Sequence, residues 1–352
     1  MSNKYLLVKN YIKSLPLGRK IRDLYQKRGF NRGNAAKAFR RYYGEDSGLD
    51  KEKIIIDMLG EAKRYGFGFD EYHMYHFEKM PLEERRTYVS DKERINYCER
   101  MNSYRNMILF DDKGLTYSFF RRYYHRDLVE VFSKREYELF AAFLKKHPKF
   151  IVKPFDGACG VGVRILDASG SAPETIFRAL RKRYGKGFVV EELIIQHPEM
   201  ARLHPQSVNT LRIPTIHYGE DVEIIHPFIR IGRGESVVDN GWSGGICCGI
   251  DPETGTVFSA SDENGEDYTV HPDTGVNLIG YQVPRWEEAT ALAKELAGVL
   301  PDNHYTGWDL ALTKDGWVMQ EANDRGGFLG FQITSKKGFR PEIEEIVHRL
   351  GV

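Results

Sequence analysis

The chain has 352 residues, 41% of them hydrophobic and 29% charged, with a formal net charge of +1. That length suits two domains, or one domain with an added module, and no apolar run approaches the roughly 20 residues of a membrane span. The opening MSNKYLLVKNYIKSLPLGRK holds only a short apolar patch and does not read as a secretory signal, while four cysteines without zinc or disulfide spacing fit a reducing cytoplasm.

The small net charge hides an asymmetry. Residues 1–41 carry twelve Lys or Arg against one acid, Asp23, a net of +11, which leaves −10 for the rest. Tyr5, Leu6, Leu7, Val8, Tyr11, Ile12 and Leu15 interleave with those charges. Such an arm suits an anionic membrane surface at the inner face or an acidic protein partner; the plainer alternative is a solvated helical face packing its apolar stripe on the body. No nucleic acid is expected, because no recognition motif accompanies the charge.

Residues 1–105 form a basic, mainly helical region. Apolar residues recur at helical intervals in YLLVKNYIKSL, KEKIIIDMLGEAKRYG and DKERINYCERMNSYRNMILF. Breakers fall at Gly29–Gly33, Gly44–Gly48, Gly66–Gly68 and Pro81, and Ser90 with Glu93 three residues on offers a capping box. The pattern changes after about residue 106. An aromatic helix follows Lys113, a second ends at His147-Pro148, and a strand begins at Phe150. A glycine hairpin comes next, then a helix near 172–184 and strands at 188–194, 207–218 and 221–232. A glycine-rich loop spans 239–249, a helix covers 285–299, and the strand pair GWDLALTKDGWVMQEAN closes the core. Mixed strands and helices with hairpins give an α+β fold, divided into 106–195 and 196–352.

Four pieces could carry chemistry. In FIVKPFDGACGVGVRIL, Lys153 leads into a turn in which Gly157, Gly160 and Gly162 let the main chain approach anionic oxygens; the alternative is a flexible hairpin tip. Near the end of the chain, period-two alternation sets Glu321 and Asn323 on one strand face, and a hairpin brings Asp309 opposite them. These hard oxygen ligands suit Mg²⁺ held jointly with phosphates, unless the face is simply solvated. The strand end VVEELI offers backbone groups and carboxylates to a base and sugar. Arg212, in an otherwise apolar strand, needs a partner, either a phosphate or a core carboxylate. Gly241-Trp242-Ser243-Gly244-Gly245 matches the nucleophile-elbow pattern but lacks the following helix; Gly244, Gly245, Asn240 and Arg325 are better read as substrate-loop residues.

In this order, the pieces resemble the ATP-grasp superfamily, and specifically its sugar-transfer-associated group, related to α-L-glutamate ligase-like proteins. The segments YVSDKERINYCERMN, VEELIIQHPEMARLHPQSVNTLRI, HPDTGVNLIGYQVPRW and GWDLALTKDGWVMQEAN carry the match, across roughly residues 65–335. The resemblance implies an ATP-grasp fold of two α+β subdomains gripping ATP, after a helical N-terminal region. It assigns Lys113 and Lys153 to the nucleotide, the Gly157–Gly162 lid to its phosphates, and Glu191, Glu192 and Leu193 to adenine and ribose. Asp309, Glu321 and Asn323 would hold one or two Mg²⁺, and Arg212 would steady the transferred phosphoryl. Two positions depart from the family pattern: Thr210 stands where the core strand usually has a carboxylate, and Glu199 is the nearest candidate for a ribose acid. The implied activity is an ADP-forming carboxylate–amine ligase working through an acyl phosphate, in a surface-polysaccharide setting. A kinase acting on a sugar or lipid-linked hydroxyl, or a non-enzymatic ATP-binding scaffold, are the alternatives.

Overall fold

The structure, a computed structural model, describes residue 15 and residues 29–155, 162–185, 187–236, 239 and 244–352. Most of the basic arm, the lid glycines Gly157 and Gly160, and Asn240 with Ser243 lie outside the described residues.

The N-terminal helices are α1 (Arg32–Tyr42), α2 (Lys51–Tyr65), α3 (Phe69–Met74), α4 (Leu82–Arg85), α5 (Asp91–Met101) and α6 (Met107–Asp111). Their ends follow from local chemistry. Asp50 caps α2 by accepting from the Lys53 amide, and Gly66 closes it at φ +79°, a conformation glycine adopts without strain. The Ser90–Glu93 capping box starts α5, each residue satisfying the other's backbone amide. The break expected at Gly29–Gly33 ends earlier, because Gly33 already lies in the first turn of α1. Ile55, Met58, Phe67, Tyr72 and Phe77 are buried together, and Leu329 and Ile333 from the far end of the chain join them.

Next come α7 (Lys113–Tyr124), β1 (Leu128–Val131), α8 (Tyr137–Lys146), β2 (Lys149–Pro154), β3 (Arg164–Asp167), α9 (Pro173–Arg183) and β4 (Phe188–Glu192). The four strands form an antiparallel sheet of order β1-β4-β2-β3. Phe140, Phe143, Phe150, Phe177 and Phe188 fill the space between this sheet and its helices, each burial contributing about 1.5–3 kcal/mol. β2 and β3 pair as the expected glycine hairpin. The short strand β1 is absent from the sequence reading, and β4 stops two residues earlier than read there.

A short helix α10 (Pro198–Ala201) leads to β5 (Thr210–His217), β6 (Val222–Ile224), β7 (Phe228–Ile231), β8 (Ile246–Ile250) and β9 (Val257–Asp262). Then follow α11 (Trp286–Gly298), β10 (Tyr305–Thr313), β11 (Gly316–Asn323), α12 (Leu329–Ser335) and α13 (Arg340–Leu350). The seven strands form a second antiparallel sheet, β11-β10-β5-β7-β8-β9, with β6 beside β5. The single strand expected at 221–232 is two strands, broken where His226 takes a positive φ before Pro227. Along β5, Leu211 and Ile213 pack with Trp308 and Leu310 of β10 and with Ala289, Ala293 and Leu296 of α11. The alternate residues Thr210 and Arg212 face the other way. The N-terminal helices pack into this sheet's core, since Val89, Cys98 and Met101 share a cluster with Phe228, Tyr305, Ile343 and Ile346. Among the described residues, no helix is long and apolar enough to cross a membrane.

Candidate active site

The polar faces of the two sheets meet the N-terminal helices around a cavity of about 1300 Å³, larger than the roughly 300–1,000 Å³ of a pocket for one small ligand. Lys153, Ile151 and Pro154 line it from the small sheet. Arg212, Arg230, Asp309, Glu321 and Asn323 line it from the large sheet, and Tyr42, Asp70, Met74 and Arg94 from the helices.

A register shift in the closing hairpin sets the chemistry. From its tip the hairpin runs regularly, Thr313 opposite Gly316 and Leu310 opposite Met319; Asp309 then faces Glu321, not Gln320. Side chains alternate, so a regular register would turn Glu321 away from Asp309. The bulge at Gln320 brings both carboxylates to one face. It also places the Met319 and Gln320 carbonyls where Arg126 donates to them, at 2.7 and 3.1 Å.

Asp309, almost fully buried, is gripped by two arginines. Arg212 pairs with it through Nε and Nη2, and Arg230 Nη2 donates to Oδ2 at 3.0 Å. Burial opposes ionisation of Asp309, but the two guanidinium groups outweigh it and hold the pKa below the usual range. Gly307, two residues before Asp309, leaves room for the Arg212 stem, which a Cβ would meet at 3.2 Å. Of the two partners open to Arg212 in the sequence, the core carboxylate is therefore the one it holds.

Glu321, half exposed, takes Lys113 Nζ at 2.8 Å, and Asn323 Nδ2 lies 3.4 Å from Asp309 Oδ2. Burial pushes the Glu321 pKa up, and Lys113 leads the charges that bring it down on balance. On the small sheet, Glu191 receives Lys153 at 2.9 Å and Arg126 at 3.3 Å. Burial there is overcome by Lys153 and Arg126, and the Glu191 pKa falls to about 2.

A family sequence profile described as sugar-transfer associated ATP-grasp matches residues 92–348. The chain belongs to that ATP-grasp family. The match begins later and runs further than the 65–335 resemblance, adding most of α13. No protein of curated function matches the sequence. Among solved structures, the chain is similar to an ATP-grasp ligase, PsnB, complexed with a phosphomimetic variant of its minimal precursor, Mg and ADP (14% identity, 74% of this chain and 66% of that one, TM-score 0.43). D-alanyl-alanine synthetase A from Vibrio cholerae (10%, 71% and 68%, 0.46) and D-alanine-D-alanine ligase from Helicobacter pylori (14%, 69% and 60%, 0.41) are also similar. The chain thus spans 66% of the PsnB length and 60% of the H. pylori enzyme's.

Within this ATP-grasp chain the structure gathers Lys113, Lys153, Arg212, Asp309, Glu321, Asn323 and Arg325 around one cavity. Other expected site residues sit elsewhere. Glu192 points to the far side of β4, accepting from the Asp127 amide at 3.0 Å and lying 3.8 Å from His147. Glu199 lies on the surface in α10 against Arg202. Leu193 follows the end of β4, and Gly244 and Gly245 lead into β8; none of the three lines the cavity. Gly162 accepts from the Tyr184 hydroxyl at 2.8 Å, which fixes the base of the hairpin. Arg325 bridges Asp111 at 2.6 Å and Asp324 at 3.1 Å, tying the loop after β11 to α6.

The sequence reading missed Arg126, Arg230, Asp239 and Glu263. Asp239 brings a carboxylate to the Thr210 position: it accepts the Thr210 amide at 2.9 Å and stands 3.6 Å from Arg230 Nε. Arg230 was open to the argument used for Arg212, a guanidinium alternating with buried Ile229 and Ile231. Asp239 and Glu263 had no such local signal.

Proposed function

We propose that this ATP-grasp protein is an ATP- and Mg²⁺-dependent carboxylate–amine ligase. The reading rests on one arrangement: two lysines, two arginines and three oxygen-ligand residues converge on a cavity between two sheets. In the reaction, the γ-phosphoryl of ATP passes to a substrate carboxylate, giving ADP and an acyl phosphate. An amine then attacks the carbonyl carbon, the C–O bond to phosphate breaks, and phosphate leaves with the amine's proton passing to a base.

Lys153 and Lys113 neutralise nucleotide phosphates as point charges, released toward them from Glu191 and Glu321. The lid glycines Gly157 and Gly160 would lend backbone amides to the phosphates, while Gly162 fixes the base of their hairpin. Arg212 and Arg230, pre-set by Asp309, face the position where charge builds up during transfer. Glu321 and Asn323 fit a divalent cation because both line the cavity, each carries a hard oxygen, and Asp309 beside them stays ionised. Such an ion, when bound, supplies charge neutralisation to the phosphates. Glu191 holds Lys153 at the nucleotide side of the cavity, and Arg325 borders the acid substrate. The acid is a sugar acid or amino acid of surface-polysaccharide synthesis, as the family's description suggests, and the divisions at residues 105 and 195 mark the helical region and the two gripping subdomains.

The test is ADP and free phosphate measured side by side, with ATP, Mg²⁺ and a panel of uronic acids and amino acids. Matched ADP and phosphate, appearing only with acid and amine together, is the expected result. ADP without phosphate overturns it in favour of a kinase.

A further inference from the structure

The cavity has two ends. Lys153 and the small sheet border one, while the other is walled by the N-terminal helices through Tyr42, Asp70 and Met74, with Glu263 and Asn264 from the turn after β9. If nucleotide and cation occupy the first, the second is the space left for the group that attacks.

The turn that carries Glu263 is firmly built. Asp262, 3% exposed, accepts from the amides of Asn264 (2.9 Å) and Glu266 (3.2 Å), the Tyr268 hydroxyl (2.9 Å) and Arg233 (3.3 Å). At its tip, Gly265 adopts φ +79° and sits so close to the helices that a Cβ would lie 2.5 Å from the Met74 carbonyl. Its own carbonyl accepts from Lys336 Nζ at 3.1 Å and lies 3.4 Å from His76 Nε2. The polar groups that shape the turn thus use Asp262 and the backbone. Glu263 is satisfied only in part: its carboxyl takes backbone amides, its own and that of Gly244, while Oε2 is shielded from solvent without a hydrogen-bond partner, and the side chain makes no ion pair among the described residues. A buried carboxylate oxygen without a donor costs about 1–3 kcal/mol or more, a cost that a ligand's N–H would remove.

We infer that Glu263 receives the amino group of the acceptor substrate at the helical end of the cavity. The inference rests on the ligase reading and adds to it a residue and a ligand class, a primary amine that binds as its ammonium. The carboxylate pairs with that ammonium on binding and takes one of its protons, which frees the nitrogen lone pair. The neutral amine attacks the acyl carbon, the C–O bond to phosphate breaks, and the second N–H proton leaves on the departing phosphate, giving a neutral carboxyl, an amide and hydrogen phosphate. Burial raises the Glu263 pKa, against opposing backbone hydrogen bonds from its own amide and that of Gly244, which suits a group that must hold this proton. The helical wall then serves as the surface that reads the acceptor's body, with Tyr42 and Met74 as its apolar part.

The experiment holds the full chain at saturating Mg–ADP and titrates it, by calorimetry, with amines: the common amino acids, ethanolamine, glucosamine and galactosamine, each beside its N-acetyl form. At least one free amine should bind while its N-acetyl form does not. Glu263→Gln should weaken that binding by about tenfold or more, the scale of a charge-assisted hydrogen bond, with Mg–ADP affinity unchanged. Unchanged amine affinity in Glu263→Gln, equal binding of the N-acetyl forms, or no amine binding to the Mg–ADP complex would each overturn the assignment. Failure to bind Mg–ADP at all would instead strike the ligase reading beneath it. Mg–ADP binding by the variant also reports that it has folded.

Discussion

Arg126 joins the two sheets by way of Glu191. Its guanidinium donates to Glu191 Oε2 on the small sheet, and on its other side to the Met319 and Gln320 carbonyls that the bulge exposes on the large one. Glu191 in turn holds Lys153. Lys153 is therefore tied, through one carboxylate and one guanidinium, to the strand that carries Glu321.

Arg126→Met should be costly, because it strands a buried Glu191 with Lys153 as its main counter-charge and leaves two carbonyls without their donor. Removing one partner of a buried pair typically costs about 3–5 kcal/mol. Urea denaturation should show that loss, and calorimetry should show weaker Mg–ATP binding. The double variant Arg126→Met, Glu191→Gln should recover part of the stability, since no buried anion is left in want of a partner.

Glu191 also predicts acid sensitivity. Its pKa is about 2 in the folded chain against an ordinary 4.5, so its stabilisation is complete above about pH 4.5 and disappears as pH falls toward 2. Glu191→Gln should be less stable than the parent at pH 7, and the gap should narrow through that window in denaturant titrations.

Asp309→Asn tests the arginine pair. The substitution keeps the shape of the side chain but leaves Arg212 and Arg230 buried around a neutral amide. Stability should fall by about 3 kcal/mol, and ATP turnover should be lost as both guanidinium groups lose their orientation. Arg212→Lys should keep the fold better than Asp309→Asn does, because a charge remains, yet still reduce turnover, because an ammonium cannot copy the two-pronged contact.

What the sequence made legible was local. The helix over 51–65, the Ser90–Glu93 box and the hairpin at 307–323 are each specified by residues within a few positions of one another. Lys153, Arg212 and Asp309 were legible because charged residues in or beside apolar strands stand out, whereas Lys113, at the start of α7, was reached only through the family resemblance. The bulge at Gln320 was not, because nothing in TKDGWVMQEAN marks where the register shifts, and the shared face of Asp309 and Glu321 depends on it. Arg126 meets Met319 only across 193 residues of chain, and Glu263 shows itself only through the partner it lacks. The helical wall of the cavity was hidden likewise, since amphipathic periodicity reveals which face is buried but not against what.

Glu130 gives a prediction with the opposite sign. It packs against the start of α7, where Gly114 has no room for a Cβ, and its Oε1 is buried without a hydrogen-bond partner. Asp112 already takes the amides of Gly114 and Leu115, so the helix terminus has few donors to offer Glu130. Burial, followed by repulsion from Asp112, raises its pKa to about 7. A raised pKa means the folded chain holds this proton more tightly; the associated stability is full below about pH 4.5 and is lost as pH rises to 7. Glu130→Gln should match the parent near pH 4.5 and exceed it at pH 8, by on the order of 1–2 kcal/mol after solvent screening. Urea midpoints at the two pH values check it.

Gly265→Ala addresses how the helices and the sheet are held together. The residue sits at φ +79°, where an L side chain is strained, and its Cβ would press on the Met74 carbonyl at 2.5 Å, a backbone atom that cannot swing aside. Strain and overpacking together should cost about 1–3 kcal/mol. The turn is anchored on its other side by Asp262, so relaxation should take the form of its tip lifting from Met74 and His76. Hydrogen exchange should then rise at residues 263–268 and 72–77 while the β10–β11 hairpin keeps its protection. Exchange that rises equally in β10 would mean that the turn and the β10–β11 hairpin unfold as one unit, and that the helical wall has no independent seat on the sheet.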